Sequence, residues 1–335
     1  MSSSRFIGCN TTCLGEFCTS QSSGIATLAS SSNSSLSVNG TSFDHMLIAC
    51  DGGPGGYCSS QGGAVFAVVS EQGQTQNFVI QIQASSVIGS FCTALVSSRS
   101  DPLSVASGGF LYSQGCSSGE CNSLRLLEWH LLQSHYFSGS LYNLTVRNCS
   151  AFQGDRTTLQ PESSPKVAPA LILGGGIYCI SSALYVGNSV FLFNVAVNGS
   201  GGGLAIGPEC SVSCIGCTFS NNSAHLGAGL HLQSQGSLSM SNSTVSFNTA
   251  TDFSSCSDYG SPSSLCYGKG AGIHASISFG FASSSVFISN SIVSFNAAHK
   301  FSLGSSLHIQ VNLMDAVVDF SNACVLIFVC RVFPQ

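Results

Sequence analysis

Residues 202–224 read GGLAIGPECSVSCIGCTFSNNSA, and this stretch holds both halves of a pattern that recurs along the chain. An opener of two glycines and an alternating strand fills residues 202–206. A closer, residues 216–224, carries a Phe shortly before an Asn. Further openers begin at residues 175, 228, 271 and 305, and further closers at residues 188, 242 and 290. A period of this size predicts a repeat architecture.

Both signatures alternate with period two, which is typical of a strand with one buried face. Such a strand cannot bury its apolar face alone, so the repeats must stack. No segment of the repeats sustains the 3.6-residue spacing of a helix. The sequence therefore predicts an all-β chain, a parallel β-helix that rises by about 4.8 Å per coil.

The closers also predict what lines the inside of each coil. Stacked amides can hydrogen-bond along a column, so we expect one corner to carry Asn194, Asn222, Asn248 and Asn296. By the alternation we expect the interior to be filled by Phe193, Phe247 and Phe295. Asn221 takes the same position in its closer, and we therefore expect it to face inward as well.

Weaker copies of the pattern begin at Gly62, and loop insertions separate some of the later copies. We divide the chain into a Cys- and Ser-rich N-terminal cap or lead-in (residues 1–61), the parallel β-helix repeats (62–310), and a last partial coil or truncated C-terminal segment (311–335). The copies predict about six to seven coils.

Composition indicates an extracellular or cell-surface protein. Charged residues make up only 7% of the chain, the net charge is −5, and there is no Lys/Arg cluster of the kind that binds nucleic acid. Seventeen cysteines favour an oxidising compartment. N-glycosylation sequons begin at Asn10, Asn33, Asn39, Asn143, Asn148, Asn198, Asn221 and Asn242. No apolar run of signal-peptide length follows Met1, so we expect a piece of a longer secreted or surface protein, or an imperfect gene model.

The paired signatures resemble the repeats of the chlamydial polymorphic outer-membrane proteins and related β-helix proteins with the pectin-lyase-like fold. The residues that carry the resemblance are Gly62-Gly63-Ala64-Val65, Gly202-Gly203-Leu204, Phe191-Leu192-Phe193-Asn194 and Phe219-Ser220-Asn221-Asn222. The resemblance covers residues 62–310. It implies a right-handed coil and surface display, often in adhesion, and it carries no catalytic residues or cofactor.

An enzyme of the same fold is the alternative to a binding scaffold. Polysaccharide lyases and glycoside hydrolases need several carboxylates, or carboxylates and a basic residue, on one sheet face. Between residues 171 and 310 the acids are Glu209, Asp252 and Asp258, and no strand carries a paired set. Asp252, Asp258 and Lys269 are the candidate catalytic residues if they converge in a groove.

Three histidines, His231, His274 and His308, occupy one outward position in successive openers. At a spacing of about 5 Å they can bind Zn²⁺ or respond to pH, or they form a solvent-facing stack without a function. They are the weak metal candidate in a chain for which we otherwise expect no metal or cofactor.

The cysteines at positions 210, 214 and 217 match the spacing of an iron–sulfur motif, but their place on a β-coil favours disulfides instead. The candidate disulfides are Cys210 with Cys214, Cys256 with Cys266, Cys116 with Cys121, and Cys50 with Cys58. The sequence therefore predicts a non-catalytic surface scaffold for adhesion, with glycans or cell-surface proteins as partners. Membrane association would need segments that this chain lacks.

Overall fold

A computed structural model describes part of the chain, and the structural findings concern that part. The described residues are 5–7, 9–14, 17–21, 24–29, 35–39, 41–44, 46–51, 57–61, 65–69, 78–83, 86–96, 105–107, 111–114, 137–153, 171–233, 235–251, 268–277, 284–298, 307–311, 317–321 and 324–325. Within them the regular elements are all β-strands, and these strands form three sheets.

Two of the sheets have eight strands each. The opener sheet contains the strands Ile25–Ala29, Val65–Val69, Leu111–Gln114, Ile177–Ile180, Leu204–Ile206, Leu230–Leu232, Ile273–Ile277 and Leu307–Val311. The middle sheet contains the strands Ser35–Asn39, Phe78–Gln83, Phe137–Tyr142, Ser182–Gly187, Ser211–Ile215, Ser237–Ser241, Ser285–Ser289 and Val317–Ser321.

The third sheet has nineteen described strands and contains the closers. This closer sheet consists of Arg5–Ile7, Asn10–Leu14, Phe17–Gln21, Ser42–Asp44, Leu47–Asp51, Tyr57–Gln61, Ser86–Val96, Val105–Ser107, Thr145–Gln153, Leu171–Leu173, Val190–Leu192, Val195–Ser200, Thr218–Ser220, Ser223–Leu226, Thr244–Ser246, Thr249–Ala250, Ile292–Ser294, Ala297–Ala298 and Cys324–Val325.

Equivalent strands of successive repeats pair in parallel and in register. In the opener sheet, Leu204 is the partner of Ile177 on one side and of Leu230 on the other. In the closer sheet, Phe219 lies between Phe191 and Val245. For the described residues, this stacking of repeats confirms the prediction of all-β structure with parallel sheets, and it is consistent with a β-helix solenoid.

The described strands beyond the repeat region join the same sheets. Ile25–Ala29 pairs with Val65–Val69, and Val317–Ser321 pairs with Ser285–Ser289. The division of the chain at residues 61 and 310 remains a prediction.

The core runs along the stack between the three sheets. Leu184 and Val186 of the middle sheet, and their counterparts in the next repeats, are buried. On the closer side the rings of Phe191 and Phe219 stack with centroids 4.6 Å apart and planes within 6°. Val245 and Val293 continue this column, so phenyl and valine side chains of one column fill the interior.

The prediction that Phe193, Phe247 and Phe295 fill the interior is wrong. Their side chains are 46%, 56% and 69% exposed. The backbone at each is left-handed, with φ of +56°, +56° and +53°. This conformation ends the closing strand and turns the chain, so that each Phe points outward. The asparagine that follows it points inward.

Candidate functional site

The interior corner carries a continuous column of asparagines, which we call the asparagine ladder: Asn194, Asn222, Asn248 and Asn296. All four are buried. The backbone N–H of Asn194 donates to Oδ1 of Asn222 at 2.9 Å, and Nδ2 of Asn194 donates to the same oxygen at 3.0 Å. Nδ2 of Asn222 also donates to the carbonyl of Phe191 at 3.1 Å. The amides of Asn194, Asn222 and Asn248 therefore tie their own repeats to both neighbours, and Asn296 ties its repeat to the preceding one.

In the preceding repeat, Cys149 occupies the position of the ladder asparagine. Its backbone N–H donates to Oδ1 of Asn194 at 3.0 Å. The opener glycines pack against the ladder. A Cβ added at Gly203 would lie 2.7 Å from the carbonyl oxygen of Gly229 and 3.3 Å from Nδ2 of Asn222. An added Cβ at Gly176 or Gly229 would meet the carbonyl oxygen of the next repeat in the same way, so the close approach of successive repeats explains the second opener glycine at these positions.

A second column, made of buried hydroxyls, runs beside the closing strands and is not among the predictions from sequence. Ser189 Oγ accepts from the backbone N–H of Leu144 at 3.2 Å, and Ser243 Oγ accepts from that of Cys217 at 3.0 Å. Ser291 Oγ accepts in the same way from Ser243 at 3.1 Å. The repeated Asn-Ser pair at residues 188, 242 and 290 is the signal that could have revealed this column.

His231 and His274 lie directly over one another in the opener sheet. Their rings stack with centroids 5.0 Å apart and planes within 9°, and their Nδ1 atoms are 3.1 Å apart. Each side chain is only 3% exposed, so the solvent-facing stack expected for these two residues is wrong. The backbone of His308 is in register with His274.

Burial determines the charge of His231. Desolvation lowers the pKa of His231 to about 4, which keeps its imidazole neutral at pH 7. At 3.1 Å one Nδ1 must carry the proton that the other accepts. A zinc site at His231, His274 and His308 remains a prediction. Among the described residues there is no group of three or more His, Cys, Asp or Glu side chains placed to hold a metal ion.

The described cysteines form a disulfide that differs from the predicted one. Cys210 bonds to Cys179 of the preceding repeat, with Cα atoms 6.1 Å apart, so the predicted bond between Cys210 and Cys214 is wrong. Cys210 directly precedes the middle-sheet strand Ser211–Ile215, whereas Cys214 lies within that strand with its side chain in the core.

Cys214 and Cys217 are buried thiols that hydrogen-bond to each other. That bond, together with burial, raises the pKa of Cys214, and the same bond lowers the pKa of Cys217. Cys217 Sγ also lies 3.2 Å from the carbonyl of Val186, in the column of buried hydroxyls.

Three further predicted disulfides are not tested. The cysteines at 116, 121, 256 and 266 lie outside the described residues. In the backbone register Cys50 is the partner of Cys13, and Cys58 is the partner of Cys18.

In the described part of the chain, acidic side chains do not come together at a catalytic site. Glu209 is exposed at a corner with φ +56°, and its Oε2 accepts from Ser181 Oγ at 3.1 Å. Lys269 is half-buried, and its backbone bridges to Leu226. Asp252 and Asp258 lie outside the described residues, so their convergence with Lys269 is not tested.

Asn221 is exposed, which contradicts the expected inward position of this sequon residue. It takes the same left-handed corner as Phe193 and Phe247, with φ +54°. Its exposed side chain can therefore be reached as the asparagine of an N-glycosylation sequon.

A search of the described residues for a helix long and apolar enough to span a bilayer finds none. No protein-family model and no curated protein matches the sequence. Among solved structures, the chain is similar to one described as the crystal structure of a TibC-catalyzed hyper-glycosylated TibA55-350 fragment. The identity is 11%, over 94% of this chain and 99% of that one, and the TM-score is 0.14. A TM-score this low transfers neither a fold nor a function.

Proposed function

We propose that this chain is a right-handed parallel β-helix of about six to seven coils that serves as a non-catalytic binding scaffold outside the cell or on its surface. Parallel strands joined by crossover connections are right-handed in nearly all known cases, which supports the handedness. The resemblance of the openers and closers to polymorphic outer-membrane protein repeats belongs to the same proposal.

The observation that carries the proposal is the in-register stack itself. The asparagine ladder and the parallel sheets give each repeat the same shape, so the outward residues of successive repeats form straight columns. A rigid surface of aligned columns suits extended partners such as glycans or cell-surface proteins. The Cys179–Cys210 disulfide supports an oxidising, extracellular setting.

Binding and turnover assays on the purified chain test this role. We expect the fluorescently labelled chain to bind cell surfaces saturably in flow cytometry. We also expect it to release no reducing ends from pectin, xylan or cellulose. Release of reducing ends that is abolished by Asp252→Asn or Asp258→Asn would replace the scaffold by a polysaccharide-degrading enzyme. Absence of any saturable binding would contradict the adhesive role.

A further inference from the structure

One corner of the stack, exposed at all its positions except the half-buried Asn148, carries an unusual set of side chains. We call it the corner column, and its residues in successive repeats are Asn148, Phe193, Asn221, Phe247 and Phe295. All five have left-handed backbone, with φ between +53° and +56°. Asparagine tolerates this conformation, whereas a bulky aromatic residue there is a genuine outlier. Phenylalanine nevertheless fills the position three times, and each ring is exposed to solvent.

Exposure and strain both weigh against phenylalanine at this corner, so packing of the core does not explain it. Backbone strain of this kind concentrates at functional sites. The corner column therefore contains a candidate binding surface, and its ring arrangement shows where.

One face of each of the three rings in the column is already covered. Phe247 stacks on Phe295 with centroids 5.4 Å apart and planes within 9°. The guanidinium carbon of Arg147, in the repeat on the other side, lies over the Phe193 ring at 5.9 Å from its centroid. Between Phe193 and Phe247 the column holds the shorter side chain of Asn221.

The three residues Phe193, Asn221 and Phe247 form what we call the corner slot. Phe193 and Phe247 are two repeats apart, which corresponds to about 10 Å along the stack. A ring at position 221 would fill the column at the spacing seen between Phe247 and Phe295. With asparagine there, the slot has the width of about one ring, with an amide at its base.

We propose that the corner slot binds a neutral sugar ring of a glycan, held between Phe193 and Phe247 above Asn221. This site rests on the proposed scaffold function and names its ligand. The polarised C–H groups of a pyranose face pack well on the negative face of a phenyl ring. The amide of Asn221 provides a donor and an acceptor for sugar hydroxyls, and its Nδ2 lies 3.0 Å from Ser220 Oγ.

The charge of the slot favours a neutral ligand. None of its three residues is charged. Ser223, two residues after Asn221, and Thr249, two residues after Phe247, carry hydroxyl side chains. A charged ligand would lose water in the slot without gaining an ionic partner there. Arg147 lies on the far side of Phe193.

Titration calorimetry with four probes on the full chain tests the slot. The chain is produced in a bacterial periplasm, so that no N-linked glycan occupies Asn221. The probes are cellohexaose, chitohexaose, mannohexaose and hexagalacturonic acid. We expect at least one of the three neutral hexasaccharides to bind. Asn221→Phe, which fills the slot with a ring, should weaken that binding by about tenfold or more.

Matched variants separate the slot from general effects on the fold. Asn148→Phe makes the same change at the same kind of corner outside the slot, and should leave affinity within about twofold. Phe193→Ala and Phe247→Ala should each weaken binding by about tenfold. Thermal unfolding monitored by near-ultraviolet circular dichroism confirms that each variant is folded before its affinity is compared.

Three results would overturn the slot. They are equal binding of a neutral hexasaccharide by the parent and Asn221→Phe, binding of hexagalacturonic acid alone, and no binding of any probe. The cell-binding assay separates these results from a failure of the scaffold. Saturable cell binding that Asn221→Phe leaves unchanged would reject the slot and keep the scaffold function. Cell binding that this variant abolishes, with no hexasaccharide bound, would reassign the slot to a protein side chain.

Discussion

The backbone N–H and the side-chain amide of Asn222 both donate to Oδ1 of Asn248, at 2.9 and 3.0 Å. The same forked pair of bonds joins Asn194 to Asn222 and Asn248 to Asn296. Because every amide in the ladder is buried, each bond lost leaves a polar group that water cannot reach. The stability of the stack should therefore be sensitive to single changes in the ladder.

Asn248→Ala removes the oxygen that accepts both bonds from Asn222. It also removes the donor to the carbonyl of Phe219. With unpaired buried groups costing about 1 to 3 kcal/mol each, we expect a loss of about 3 kcal/mol or more in the free energy of unfolding, measured by urea titration. Asn242→Ala is the matched control, because Asn242 is exposed at a left-handed corner, and it should cost about 1 kcal/mol. Equal losses for the two variants would contradict the ladder.

Gly203→Ala tests the close approach of successive openers. Its Cβ would lie 2.7 Å from the carbonyl oxygen of Gly229, and backbone atoms cannot move away cheaply. Overpacking of this kind costs about 1 to 3 kcal/mol, which a shift of the urea midpoint would report. Ser239→Ala, on the exposed face of its strand, should change stability by less than about 0.5 kcal/mol. A stabilised Gly203→Ala variant would contradict the close approach of Gly203 to the carbonyl of Gly229.

The histidine pair predicts a specific loss of stability in acid. The folded pKa of His231 is about 4, below the ordinary value of 6.5. The neutral form is therefore favoured in the folded state, and its stabilising contribution is complete only above pH 6.5. That contribution should be lost as the pH falls from 6.5 to about 4, by up to about 3 kcal/mol.

Urea unfolding at a series of pH values compares the parent with His231→Gln, in which residue 231 no longer titrates. We expect the parent to lose more stability than the variant between pH 7 and pH 4. Parallel pH profiles for the two proteins would mean that His231 remains accessible to solvent and protons in the folded state.

The Cys179–Cys210 disulfide closes a loop with a sequence separation of 31 residues. A loop of this length predicts a stabilisation of about 3 to 4 kcal/mol, which the double variant Cys179→Ala with Cys210→Ala should lose. Peptide mapping by mass spectrometry without reduction should recover Cys179 linked to Cys210. Recovery of Cys210 linked to Cys214 would instead restore the local bond expected from the sequence.

Because some phenylalanines face outward and others inward, we expect substitutions at the two kinds of position to differ in their effect on stability. Phe247→Asn relieves the left-handed strain and gives up the stack on Phe295. These effects offset, so stability should stay within about 1 kcal/mol of the parent. Phe219→Ala, in the buried column, should cost about 3 to 5 kcal/mol. Thermal unfolding of the two variants measures this difference in stability. A larger loss of stability for Phe247→Asn than for Phe219→Ala would mean that the Phe247 ring lies inside.

Sequence periodicity is sufficient to predict the strands, the parallel stack and the position of the asparagine ladder, because these features depend on spacing alone. It failed at Phe193, Phe247 and Phe295, where alternation predicts an inward side chain. A single left-handed residue breaks the alternation, and phenylalanine gives no warning of that conformation. The asparagines at the equivalent positions 148 and 221 could have indicated the turn, because asparagine is enriched among residues with left-handed backbone.

The burial of His231 and His274 and the partner of Cys210 could not be read from spacing. Burial of an outward side chain depends on what covers the sheet, which the repeat pattern does not encode. The disulfide depends on the register between two repeats, and proximity in the chain favoured the wrong partner. The corner slot cannot be predicted from the sequence, because alternation places the rings of Phe193 and Phe247 inside.

The most direct test of the account is which phenylalanines face water. The chain labelled with 4-fluorophenylalanine, with resonances assigned by single Phe→Leu substitutions, can be titrated with a soluble gadolinium chelate and followed by fluorine NMR. The structure predicts strong relaxation enhancement at Phe193, Phe247 and Phe295 and little at Phe191 and Phe219. Strong enhancement at Phe191 and Phe219, with Phe193 and Phe247 protected, would contradict both the corner turn and the binding surface derived from it.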